Sequence, residues 1–100
     1  MTTLHITLEE GFHGQTVSIA VGALTVYQQS SLRTDLRISR AAAFDTEVAP
    51  GLAQVKVWVE PGGLPASVDV DAVITPYLGI AVDPAGAIVF RPSVSMPRYL

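Results

Sequence analysis

The sequence predicts an all-β protein, an antiparallel β-sandwich of seven to nine short strands, and three observations lead there. Apolar and polar residues alternate with a period of two in segment after segment, the pattern that turns one strand face to a core and the other to solvent. Pro, Gly and Asp punctuate that alternation at spacings of roughly ten residues, as in sandwiches. No stretch carries a convincing long helical period, so nothing calls for a helical layer.

In chain order, Leu4, Ile6 and Leu8 alternate with His5, Thr7 and Glu9 as a first strand, ending in the turn Glu10-Gly11-Phe12-His13-Gly14. Val17, Ile19 and Val21 alternate with Ser18 and Ala20 as a second, expected to pair with the first. Gly22-Ala23 suits a tight hairpin turn, because Gly supplies positive φ, and Leu24 to Tyr27 return as a third strand. Residues 30–44 admit two readings. As a helix, Leu32, Leu36 and Ala43 share a side and Ser31 caps the start, with Arg33 and Arg37 as like charges one turn apart. As a strand, Leu36 and Ile38 point inward from Arg37 and Ser39, and the β surroundings favour this reading.

Phe44, Thr46 and Val48 then alternate with Asp45 and Glu47 up to the turn at Pro50-Gly51. The clearest strand follows: Val55, Val57 and Val59 on one side, Gln54, Lys56, Trp58 and Glu60 on the other, with Pro61-Gly62-Gly63 ending it. Ala66, Val68, Val70 and Ala72 alternate with Ser67, Asp69 and Asp71 as far as Ile74, where Pro76 breaks the run. Leu78, Ile80 and Val82 make the next strand, Asp83-Pro84-Ala85-Gly86 a four-residue turn, and Ile88 and Phe90 face inward from the last. Residues 1–91 are thus expected to form one domain. Residues 92–100, with Pro92 and Pro97, read as an irregular apolar tail, carrying Val94, Met96, Tyr99 and Leu100, that packs on the body or on a partner.

The turn Val48-Ala49-Pro50-Gly51 feeding a Val-x-Val-x-Val strand, after an early hairpin, resembles the immunoglobulin-like and prealbumin-like modules of many larger proteins. The resemblance covers about residues 15 to 60, lacks the Cys and Trp hallmarks of immunoglobulin domains, and implies a fold but no functional residue.

Composition narrows the function. The chain of 100 residues can bury about two-thirds of its unfolded surface. With no cysteine, a disulfide framework, a thiolate metal site and thiol catalysis are excluded. Six basic against nine acidic residues, with no basic run, lack the electrostatic footprint of a nucleic-acid binder. No leader pattern opens the chain and no run of eighteen apolar residues crosses a membrane, so a cytoplasmic location is favoured, with an extracellular one also compatible. Hydrophobic residues make up 49% and charged ones only 15%, so apolar surface is left over and self-association, or docking to another protein, is expected. The alternative is a monomer with an Ala- and Val-rich surface.

Among residues that could carry chemistry, His5 sits at an outward strand position and His13 in a turn; Ser18 or Ser67 could join Asp69 and a histidine on paper, yet no Gly-x-Ser-x-Gly elbow exists. No catalytic residue is assigned. Asp69 and Asp71 share a strand face with Ser67, but no Asp-x-Asp-x-Asp-Gly loop accompanies them, so neither a metal nor a cofactor is expected. Arg33, Asp35 and Arg37 would form an outer charged ladder that guards a strand, or a fork that grips a carboxylate. Trp58, the single tryptophan, lies on the polar side of its strand between Lys56 and Glu60. It reads as an interface anchor, as a platform for a sugar ring, or as core if that face is covered. The function expected is a non-catalytic interaction module that self-associates. A carbohydrate- or small-ligand-binding domain using Trp58 with Lys56, Arg37, Asp69 and Asp71 is the alternative, and a small enzyme using His5 or His13 is the third.

Overall fold

The computed structural model describes residues 2–35, 37, 40–60 and 65–95. They form eight strands: β1 (Thr2–Leu8), β2 (His13–Val21), β3 (Leu24–Arg33), β4 (Ala42–Val48), β5 (Leu52–Glu60), β6 (Ala66–Asp71), β7 (Tyr77–Val82) and β8 (Ile88–Ser93). No helix occurs among the described residues, so none is long and apolar enough to cross a membrane. Two four-stranded sheets result, in the orders β4-β1-β7-β8 and β3-β2-β5-β6. Below they are the first and the second sheet.

The apolar row of most strands turns inward as the alternation requires. Leu4, Ile6 and Leu8 of β1 and Leu78 and Ile80 of β7 meet Val17 and Ile19 of β2 and Val55 and Val57 of β5 in one core, all essentially without solvent contact. Burying each such side chain is worth about 1.5–3 kcal/mol. On the flank where β3 faces β4, the Tyr27 and Phe44 rings stack with centroids 4.6 Å apart.

Several expectations are corrected. The first two strands do not pair: β1 and β2 belong to different sheets. Alternation is the same for strands lying side by side and strands lying face to face, and the connector here crosses the core. Phe12 is buried within that connector, while Gly11, at φ 94°, presses so close to β7 that a Cβ would collide with the Val82 carbonyl oxygen. Nor is the architecture purely antiparallel. Five of the six strand pairings are antiparallel, but β1 and β7 run parallel, the long excursion through the second sheet bringing the chain back in the original direction.

Within 30–44, β3 continues to Arg33 and β4 begins at Ala42, joined by a connector in which Asp35 and Arg40 form a lone bridge. The two ends of the segment are strand, but Arg37, expected on a strand, lies in a turn between them; Leu36 and Ile38 lie outside the described residues. The run expected to reach Ile74 stops at Asp71, whose side-chain oxygen accepts from Val73 N at 3.0 Å and whose carbonyl accepts from Thr75 N at 2.8 Å. Such an Asx-type turn ends pairing and turns Ile74 outward. Pro92, expected in the irregular tail, is part of β8, tolerated there because β8 is an edge strand with no neighbour on its far side among the described residues; Met96, Tyr99 and Leu100 lie outside them.

Candidate functional site

The outer face of the second sheet carries Trp58, Lys56 and Asp69, as the alternation of β5 and β6 requires, with Asp69 four residues along the ladder from Trp58. Trp58 lies across from Ser18, Lys56 between Ala20 and Ser67, and Gln54 across from Asp69. Trp58 is half-buried, and the Lys56 ammonium sits over its ring at 5.2 Å from the centroid, a cation–π contact that takes up one aromatic face. Asp71 is drawn into the turn after β6 and Arg37 belongs to the β3–β4 connector, where it pairs with Asp35, so neither joins Trp58 and Lys56. Instead of an outer ladder with Arg33, Asp35 and Arg37 form a local clasp. The guanidinium donates to the carboxylate at 3.0 and 3.2 Å, holding Asp35 below the usual carboxylate range and raising Arg37.

The outer face of the first sheet gathers His5, which the sequence singles out, with groups that it does not. His5 Nδ1 and Asp45 Oδ1 are 2.7 Å apart across β1 and β4, and the imidazole stacks on Tyr77 of β7 with centroids 4.8 Å apart. Farther along, Glu9 is a carboxylate only 6% exposed, lying over Gly79, where a Cβ would stand 2.7 Å from Glu9 Oε2. Arg91 of β8 donates to Glu9 Oε1 at 3.0 Å and to Glu10 Oε1 at 3.1 Å. Those contacts, the Glu10 bond foremost, raise the guanidinium above its ordinary value. A buried carboxylate needs such a partner, because desolvating a charge costs several kcal/mol. Glu9 does continue the outward row of His5 and Thr7, which was a signal. Its partner lies more than eighty residues away, which no local pattern reveals.

The two ends of the molecule differ in kind. At one, the β1–β2 connector, the β3–β4 connector and the β7–β8 turn bring together Glu10, His13, Arg33, Asp35, Arg37, Arg40 and Asp83. Phe12 plugs the core there; Thr34 accepts from Phe12 N at 3.1 Å and donates to the Glu9 carbonyl at 2.7 Å. Beside the plug a hollow of about 640 Å³ opens between the β1–β2 connector and the β7–β8 hairpin.

At the other end lie all the large apolar side chains that stand exposed among the described residues: Leu24, Leu52, Val73, Ile74 and Val94, each 64–77% exposed. They come from the β2–β3 turn, the start of β5, the β6–β7 connection and the residue after β8, which register places at the same end. An apolar groove of about 340 Å³, walled by Val21, Val26, Val48 and Pro50, runs between Leu24 and Leu52.

The chain matches no protein-family model, no curated protein and no solved structure.

Proposed function

We propose that this chain is a non-catalytic interaction module that self-associates through its apolar end. The observation carrying this reading is the placement of five exposed aliphatic side chains at one end of the molecule, two of them, Leu24 and Leu52, lining an open apolar groove. At about 25 cal/mol/Å², the worth of a buried aliphatic side chain corresponds to roughly 100 Å². Five that are about two-thirds exposed leave on the order of 300 Å² open, the size of the largest, often functional, patch on a monomer. A second copy is the occupant that fits. A two-fold contact needs a patch complementary to itself, and Leu24 and Leu52 beside a groove supply both knob and hole. The groove walls and rim would extend this centre toward the ~800 Å² per partner of a standard interface.

This reading moves the contact away from Trp58, which is half-buried beneath Lys56 on an outer face. The fold reading that best suits the strand order is a prealbumin-like β-sandwich. In the immunoglobulin constant arrangement the first two strands share a sheet, whereas here they are in different sheets.

Light scattering over a range of concentrations tests the proposal. The expected result is a mass of two chains for the parent and for Trp58→Ala, and of one chain for Leu52→Asp combined with Ile74→Asp, with the fold retained. A parent that stays at one chain throughout refutes self-association; a double variant that stays paired refutes the apolar end as its site.

A further inference from the structure

The hollow at the charged end goes beyond that reading, since it lies opposite the proposed interface. Its volume of about 640 Å³ is that of a small-molecule site, and its make-up fits one as well. Val89 and Pro84 supply an apolar lining over the buried Ala81 and Val82, while Arg91, Glu10, His13 and Gln15 bring a few polar groups to it. Asp83 holds the hairpin wall in shape, its Oδ1 accepting from Ala85 N at 3.0 Å and Ala87 N at 2.9 Å.

The charges in this hollow select a ligand class. Arg91 makes two carboxylate contacts of different character. Its bond to Glu9 is shielded and structural; its bond to Glu10, whose side chain is 60% exposed, is a surface pair of the kind that contributes little and exchanges readily. The guanidinium edge turned toward Glu10 is therefore open to another carboxylate. A simple anion taking that place would leave the Glu10 and Asp83 carboxylates facing its own charge, and a simple cation at Glu10 would compete with Arg91. A molecule carrying both charges meets neither obstacle, because each group it displaces finds a new partner on the ligand itself.

We propose that the hollow binds a small zwitterion, a free α-amino acid. Its carboxylate takes the place of Glu10 on Arg91, its ammonium is received by the released Glu10 carboxylate, and its side chain lies against Val89 and Pro84. No covalent step is involved.

The test is a titration of the full-length chain followed by amide NMR, with leucine, N-acetyl-leucine and leucinamide as probes. Leucine is expected to shift the amides of Gly11, Val82 and Gly86 saturably. Each capped analogue, lacking one of the two charges, should bind roughly tenfold or more weakly, the effect of one lost charge-assisted hydrogen bond. Glu10→Gln, a surface change that leaves the Glu9–Arg91 pair intact, should weaken leucine by a similar factor and strengthen N-acetyl-leucine, whose carboxylate no longer has to displace, and then face, the Glu10 carboxylate. No saturable shift at millimolar leucine, equal responses to all three probes, or shifts confined to another part of the molecule would each overturn the proposal.

Discussion

Tyr27 gives the fold a measurable alkaline limit. Burial against Phe44 raises its phenol above the ordinary value, because the ionised ring would lose its hydration. The stability it contributes is complete below the unfolded value of about 10 and is lost as pH rises through the raised folded value. Thermal unfolding followed from pH 8 to 11 is expected to show a steeper alkaline fall for the parent than for Tyr27→Phe. Parallel curves would mean that the phenol ionises without disturbing the stack. Trp58 teaches a different lesson at this scale. Its alternation places it outward, and outward it is, yet half-buried, because Lys56 two residues earlier on the same face lies over it. Period-two reasoning assigns a face, but coverage of that face depends on neighbours in register.

Among the elements, the four edge strands explain why the proposed contact falls at an end of the molecule. A bare edge invites pairing with another chain, and three of the edges carry the usual deterrents. β4 exposes Asp45 and Glu47, β6 exposes Asp69, and β8 exposes Arg91 and Pro92. β3 has no charge or proline between Leu24 and Leu32 and is irregular instead. Its pairing with β2 slips register at three places, and Ser31 adopts φ 55°, in the left-handed region that favours glycine. Bulges twist an edge away from a flat partner, so this strand is guarded by shape where the others are guarded by charge. Ser31→Gly should relieve the strain and raise stability by about 0.5–1 kcal/mol, read as a higher urea midpoint at unchanged slope. A lowered midpoint would mean that the Ser31 side chain holds the bulge in place.

At the scale of the whole molecule the contrast is between a plugged end and an open one. Phe12 closes the core at the charged end, held by the hydrogen bonds of Thr34, and among the described residues no comparable aromatic closes the other. Phe12→Ala should therefore cost about 3–5 kcal/mol in a denaturant titration, as for a large ring removed from a tight core. A loss below 1 kcal/mol would show that the connector collapses into the space and that the plug is not what seals this end. On the proposals made above, the open end would offer its apolar side chains to a second copy and the charged end its hollow to a small molecule.

The period-two pattern by itself determined that the chain is all-β, which residues of each strand face the core, and where most turns fall, because strand alternation and turn chemistry are local properties. Residues such as Val55, Val57, Ile80 and Leu4 were legible as core for that reason, and Trp58, Lys56 and Asp69 as sharing an outer face. Only the tertiary structure decided which strands are neighbours, that β1 runs parallel to β7, and that Arg91 meets Glu9 and Glu10 above Gly79. It alone brought Leu24, Leu52 and Ile74 to one end. These are contacts between distant segments, and an alternating sequence is equally compatible with pairing beside a neighbour or packing across a core.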